Sequence, residues 1–147
     1  MPRRSLLAVL AALLLLAAPL VAQAATPRKG AAYTGKTSQD GAFSLRVAKN
    51  GKTVTRLRIA WVTNSCASGA EQNIQEVTEV TNLKVNDQGA FRLTGTYPSD
   101  FDTVTITLRG RFTSDGRVRG SFDARTEQRS CLAKDITWKA RARSRAS

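Results

Sequence analysis

TVTITLRGRFTSDGRVRGSFDAR, residues 103–125, alternates apolar and polar side chains on both sides of a single Gly-containing turn. Such alternation is the period-2 signature of a half-buried strand, here repeated twice to give a β-hairpin. Val104, Ile106, Leu108 and Phe112 share one face of the first strand, and Thr105, Thr107, Arg109 and Arg111 the other. In the second strand Val118, Gly120, Phe122 and Ala124 face inward, with Arg117, Arg119, Ser121, Asp123 and Arg125 outward. Matching like faces sets Phe112 opposite Val118 and Leu108 opposite Phe122. That leaves Ser114-Asp115-Gly116 as a three-residue loop with Gly116 in the left-handed position. The same register sets Arg111 opposite Arg119, a like-charge pair that a sheet ordinarily avoids.

Working outward, the chain reads as more of the same. Tyr33–Thr37 is a weak first strand; Phe43, Leu45 and Val47 alternate in a second. Gln39-Asp40-Gly41 between them repeats the form of the 114–116 loop, and Asn50-Gly51 is the strongest short hairpin signal. It leads into a third strand, 52–63, whose inward set changes parity between Val54 and Leu57. One extra residue near Thr55-Arg56, a β-bulge, restores the pairs Leu57–Leu45 and Ile59–Phe43. Residues 73–85 are ambiguous. Ile74, Val77, Val80 and Leu83 recur at helical spacing, and Ser68 and Glu71 have capping-box spacing. Richness in Val and Thr favours a strand, kinked near Glu79-Val80. Asp87-Gln88-Gly89 then resembles the other three-residue loops and would pair Val85 with Phe91 and Leu83 with Leu93. The last strand follows Cys131, with Ile136, Trp138, Ala140 and Ala142 inward and Lys139, Arg141 and Arg143 outward. The expected fold is all-β: an antiparallel meander of about eight strands, closing as a small barrel rather than a sandwich. The inward glycines Gly35, Gly95, Gly110 and Gly120 favour closure, because strong coiling needs positions without side chains.

The start of the chain reads as an address. Pro2–Arg4 is basic, residues 6–22 are unbroken apolar, and Ala22-Gln23-Ala24 fits a signal-peptide cleavage site. The expected organisation is a signal peptide at 1–24, a leader at 25–32, one β domain at 33–143 and a frayed basic tail at 144–147. Cleavage after Ala24 leaves 123 of the 147 residues, enough for one core. The expected location is secreted or periplasmic, with no membrane span after cleavage. The chain carries 23 Lys and Arg against 11 Asp and Glu, a net charge of +12 that falls to +10 when Arg3 and Arg4 leave. The two cysteines, Cys66 and Cys131, are even in number in an exported chain and read as one disulfide.

Tyr33-x-Gly35-x-Thr37, Phe43-x-Leu45-x-Val47, Asn50-Gly51-x-x-Val54, Leu57-x-Ile59 and Cys66 together resemble the pattern of uncharacterised small exported antiparallel-β proteins of bacteria. Gly110-x-Phe112, Gly120-x-Phe122 and Trp138 are similar too. The resemblance implies a fold and an exported location, and brings no activity and no site residues.

Chemistry is mostly excluded. There is no His, which removes Ser-His-Asp triads, Cys-His dyads and histidine metal sites. No glycine-rich phosphate loop is present. Asp100 and Asp102 flank Phe101, and Glu76 lies near Glu79, but neither pair has a glycosidase or calcium pattern around it. The expectation is a non-enzymatic, monomeric protein without cofactor or metal. Above background stands one feature: Arg109, Arg111, Arg117, Arg119, Lys139, Arg141 and Arg143 all point outward. With the last strand beside the central hairpin they form a basic face for an anionic glycan, an envelope polymer or an anionic lipid. A charged, soluble face with no ligand is the plainer alternative. Nucleic acid is disfavoured, since Trp61, Trp138, Phe112 and Phe122 have inward parity and cannot stack on bases. The alternative from another class is an apolar-ligand carrier whose barrel interior is lined by Trp61, Trp138, Tyr33 and Tyr97, or a purely structural secreted protein.

Overall fold

The computed structural model describes residues 25–67, 74–100, 102–128 and 130–143. The expected signal peptide at 1–24, the Ser68/Glu71 pattern, Phe101 and the tail at 144–147 lie outside the described residues. The strands are β1 (Ala32–Thr37), β2 (Ala42–Val47), β3 (Thr53–Val62), β4 (Ser65–Cys66), β5 (Gln75–Lys84), β6 (Ala90–Pro98), β7 (Thr103–Phe112), β8 (Arg117–Thr126) and β9 (Cys131–Ala142). They form one antiparallel sheet in the order β5-β3-β2-β1-β9-β8-β7-β6, with the two-residue β4 also on β9. This is a sheet curled almost into a barrel. Among the described residues no helix is long and apolar enough to cross a membrane.

The central hairpin has the register that its alternation dictates. Phe112 pairs with Val118, Leu108 with Phe122 and Arg111 with Arg119. Thr113 N donates to Arg117 O at 2.9 Å and Gly116 N to Thr113 O at 3.1 Å, closing the loop with Gly116 at φ 74°. An L side chain at that φ meets its own carbonyl, so Gly116→Val is expected to cost about 1–2 kcal/mol. An unchanged midpoint in thermal or urea denaturation would contradict the strain. The β2–β3 bulge is also where the parity change puts it. Val47 pairs with Val54 and Arg46 with Arg56, so Thr55 is the extra residue.

Four expectations need correction. The first turn has the form of the 114–116 loop but lies one residue earlier, as Ser38-Gln39-Asp40: Thr37 N donates to Gly41 O at 2.9 Å and Asp40 N to Thr37 O at 3.0 Å, and Asp40, not Gly41, takes the left-handed conformation at φ 61°. The kink in β5 falls at Asn82 (φ 58°), opposite the Thr55 bulge, and not at Glu79-Val80. Gly95 is not required for closure, because a Cβ there would meet nothing within 4 Å. Most important, Asp87-Gln88-Gly89 does not start a ladder, and Val85–Phe91 and Leu83–Leu93 are not pairs. Leu83 pairs with Val54, Leu93 with Leu108 and Phe91 with Gly110. The loop itself keeps the 114–116 form: Asn86 N donates to Ala90 O and Gly89 N to Asn86 O, both at 2.9 Å, and Asn86 Oδ1 accepts from Gln88 N (3.0 Å) and Ala90 N (2.9 Å). Its two arms then follow different neighbours: Val85 N donates to Lys52 O, and Gly89 O accepts from Phe112 N, each at 2.9 Å.

Strands β5 and β6 are therefore the two margins of the sheet, and the seam between them is bridged by side chains. Trp61 Nε1 donates to Thr78 Oγ1 at 2.8 Å, and Thr78 Oγ1 lies 2.8 Å from the Tyr97 hydroxyl. The Glu76 carboxyl lies beside the Tyr97 phenol. Burial raises the Glu76 carboxyl, with Asp100 adding to the rise, and burial pushes the Tyr97 phenol up to about 12.

The interior is filled. Tyr33, Phe43, Leu57, Ile59, Trp61, Leu108, Phe112, Val118, Phe122 and Trp138 belong to one contiguous buried cluster. Phe43 stacks on Trp138 with centroids 4.1 Å apart, and the Phe91 ring lies 6.1 Å from that of Trp138. Of the residues expected to line a ligand cavity, Trp61, Trp138 and Tyr33 are core, and Tyr97 is half-buried at the seam. The disulfide joins Cys66 to Cys131 across the β4–β9 pair. Strand β4 takes the place beside β9 where β1 has ended: Thr37 lies opposite Trp138, and Ser65 opposite Leu132.

Candidate polyanion-binding face

The outer surface of β6, β7, β8, β9 and β1 is built from short-range rules already visible in the hairpin. Each strand alternates, so every outward residue has an outward neighbour directly opposite. Because β9 lies between β8 and β1, the ladder runs on past the hairpin. Arg111 faces Arg119, Arg119 faces Lys139, and Lys139 faces Lys36. Four cations thus stand in one row across β7, β8, β9 and β1. At about 4.8 Å per strand the row spans roughly 14 Å. Two residues along the strands runs a second row: Arg92 opposite Arg109, Arg109 opposite Ser121, and Ser121 opposite Thr137. Ser38 ends it, its Oγ accepting from Thr137 N at 3.1 Å.

Between and around these rows lies a groove of about 1030 Å³. Lys36, Arg92, Arg109, Arg111, Arg119 and Lys139 line it, together with Ser38, Ser121 and Thr137. Sharp coiling of the sheet makes the hollow possible. Gly110 and Gly120 are opposite each other, and the rings of Phe91 and Trp138 fill the space where their side chains would be. Trp138 Nε1 is buried without a hydrogen-bond partner among the described residues.

Charge compensation is uneven over the molecule. Arg56 and Arg58 share Glu79, at 2.8 and 3.5 Å, and Arg117 pairs with Asp115 at 3.1 Å. In the groove Lys36 lies 3.6 Å from Asp40, with both side chains largely in solvent. Arg92, Arg109, Arg111, Arg119 and Lys139 have no carboxylate partner among the described residues.

The seven cations singled out from the sequence therefore divide. Arg109, Arg111, Arg119 and Lys139 line the groove. Arg117 and Arg141 pair with each other further along the strands, beside a separate small hollow with Arg28 and Asp115. Arg143 follows the end of β9, its amide donating to Ala32 O at 2.8 Å. Two groove residues escaped the reading of the sequence. Arg92 could have been found, because setting Leu93 opposite Leu108 puts Arg92 opposite Arg109. Lys36 could not, since its place depends on pairing the first strand with the last. Asp102 is structural: it is buried, and its Oδ1 accepts from Thr103 N (2.6 Å) and Gln128 N (3.0 Å). No group of three or more Cys, Asp or Glu residues suited to a metal ion occurs among the described residues. Comparisons with family models, with curated proteins and with solved structures give no match, so the face is interpreted on its own geometry.

Proposed function

We propose that this chain is an exported, non-enzymatic β domain that binds an extracellular polyanion in the groove on the outer face of β6–β9 and β1. The observation that carries the reading is the row Arg111–Arg119–Lys139–Lys36, like charges set directly opposite one another. Folding gains nothing from such a row, which costs a few tenths of a kcal/mol per pair in a sheet. An anionic ligand reverses the sign, because guanidinium forks match carboxylate, sulfate and phosphate oxygens. Export is supported by the basic and apolar N-terminal sequence and by the disulfide, which is rare in a reducing cytosol. With the interior filled by side chains, no observation favours the apolar-ligand alternative.

The test is retention on immobilised heparin. Arg109, Arg111 and Arg119 replaced together by Ser should lose retention at moderate salt, while thermal unfolding shows the fold intact. Replacing Arg46, Lys49 and Lys52 removes the same formal charge from exposed positions and leaves the Arg56–Glu79 pair in place. That variant should stay bound. Equal loss from both triples would mean that only net charge is being sensed, and the reading would fall.

A further inference from the structure

The residues before β1 do not lengthen the sheet; they cross one end of it. Arg28 O accepts from Ala31 N at 3.2 Å, closing a turn in which Gly30 has φ 67°. After the turn the chain is fixed to β2, Gly30 N donating to Ala48 O at 3.0 Å and Val47 N to Ala31 O at 2.9 Å. Before it, Arg28 N donates to the Tyr33 hydroxyl at 3.2 Å, and Pro27 is buried. Pro27 has no N–H to offer a strand, so the segment is not drawn into the ladder. It passes over three hairpin turns instead: Lys29 lies by Gly51, Arg28 by Gly116, and the Ala25 carbonyl oxygen by Gly89. Ala25 is partly buried and packed on the core.

This resting place adjoins the cationic row. Arg111, Arg119 and Lys139 line the groove, and the same residues line a second hollow of about 790 Å³, which Ala25, Asp115 and Arg117 also border. Asp115 is already paired with Arg117 at 3.1 Å. Ala25 is also the first residue left by cleavage after Ala24. Cleavage converts its neutral amide nitrogen into an ammonium at the rim of a hollow rich in cations.

We propose that the amino group freed at Ala25 is itself part of the polyanion site, so that removal of residues 1–24 completes the site. This rests on the export and polyanion readings above and adds a control to them. The uncleaved chain lacks that charge and has 24 further residues attached at the same rim. The inference carries a pH signature. An α-ammonium ordinarily releases its proton at about pH 8. The chain has no His and no free cysteine among the described residues, so no side-chain type present ordinarily titrates there. The charged groups around Ala25 are Arg28, Arg111, Arg117, Arg119, Lys139 and Asp115. A bound anion favours the protonated amine, so affinity should fall as pH rises through about 8.

The experiment takes mature protein from the exported fraction, identifies its first residue by intact mass, and titrates it with heparin from about pH 6.5 to about pH 9. Two comparisons accompany it. One is the same protein acetylated at its N-terminus. The other has Gly-Ser-Gly-Ser inserted between Ala24 and Ala25, which keeps an ammonium but moves it away from the rim. Acetylation should weaken heparin binding about fivefold at neutral pH. It should lower the slope of log affinity against log salt by about one and remove the fall in affinity at high pH. The extended variant should also bind about fivefold more weakly than the parent. The inference is overturned if the mature protein begins at another residue, if the acetylated or extended form binds as tightly as the parent, or if the fall at high pH is absent from the parent or survives acetylation. In those cases loss of heparin retention in the Arg109/Arg111/Arg119 variant would still uphold the broader polyanion reading. Retention by that variant would remove both.

Discussion

Gly120→Ala is expected to destabilise the protein by about 3 kcal/mol, lowering the melting temperature by about 10–15 °C. The Cβ added there would overlap the carbonyl oxygen of Arg109 and the six-membered ring of Trp138. The first is backbone of the neighbouring strand and cannot turn aside. The second is wedged against Phe43 and Phe91, so it has no free rotamer to adopt. Relief would require β7 and β8 to separate at their most strongly bent point. Gly95 provides the control, since it also lies in a strand, at no special φ, with open space where its Cβ would be. There the lower backbone entropy of alanine in the unfolded chain acts alone, and Gly95→Ala should be neutral or stabilise by about 0.5 kcal/mol. Thermal unfolding of the two variants side by side decides the matter. Equal melting temperatures would show that the sheet is not coiled as described at Gly120.

Opening the disulfide is expected to have a comparable effect. Cys66 and Cys131 are 65 positions apart, and a loop of that size restricts the unfolded chain by about 4 kcal/mol in the chain-entropy model. Replacing both with Ser should cost about 2–4 kcal/mol, because Cys131 is also buried and a hydroxyl there sits among apolar neighbours. Differential scanning calorimetry of the double variant, and of the parent with and without reductant, measures it. A parent protein in which both thiols alkylate freely before reduction would remove the bond altogether.

Much of this fold was legible because its determinants are local. The registers Phe112–Val118 and Leu45–Leu57, the Thr55 bulge and the left-handed Gly116 all follow from alternation and turn chemistry within a few residues. Strand β5 was obscure for a physical reason. Its inward positions include Glu76 and Thr78, which are polar because they meet Tyr97 and Trp61 at the seam, while Val77 points out. Periodicity of apolar residues therefore pointed the wrong way. The Asp87-Gln88-Gly89 turn misled because a three-residue loop is also what ends a hairpin, and its arms part only because Val85 bonds to Lys52 on one side and Gly89 to Phe112 on the other, contacts between distant stretches. At the groove, parity placed Arg109, Arg111, Arg119 and Lys139 correctly. Lys36 joins them only through β1–β9, a pairing between distant stretches that no window of sequence contains.

That pairing has a consequence for how the molecule comes into being. The strand order divides into two meanders, β1–β3 with β5 and β6–β9, joined in the middle by the first strand and the last. Neither meander can bury its inner face alone, since Phe43 needs Trp138 and Trp61 needs Phe122. A chain emerging N-terminus first can make its early hairpins but cannot complete a core until β9 has appeared. Contacts so distant in sequence make folding slow relative to a helical domain of equal size. A chain of this topology therefore has no closed core while it is being made, and it locks only when its last strand arrives and Cys131 comes opposite Cys66.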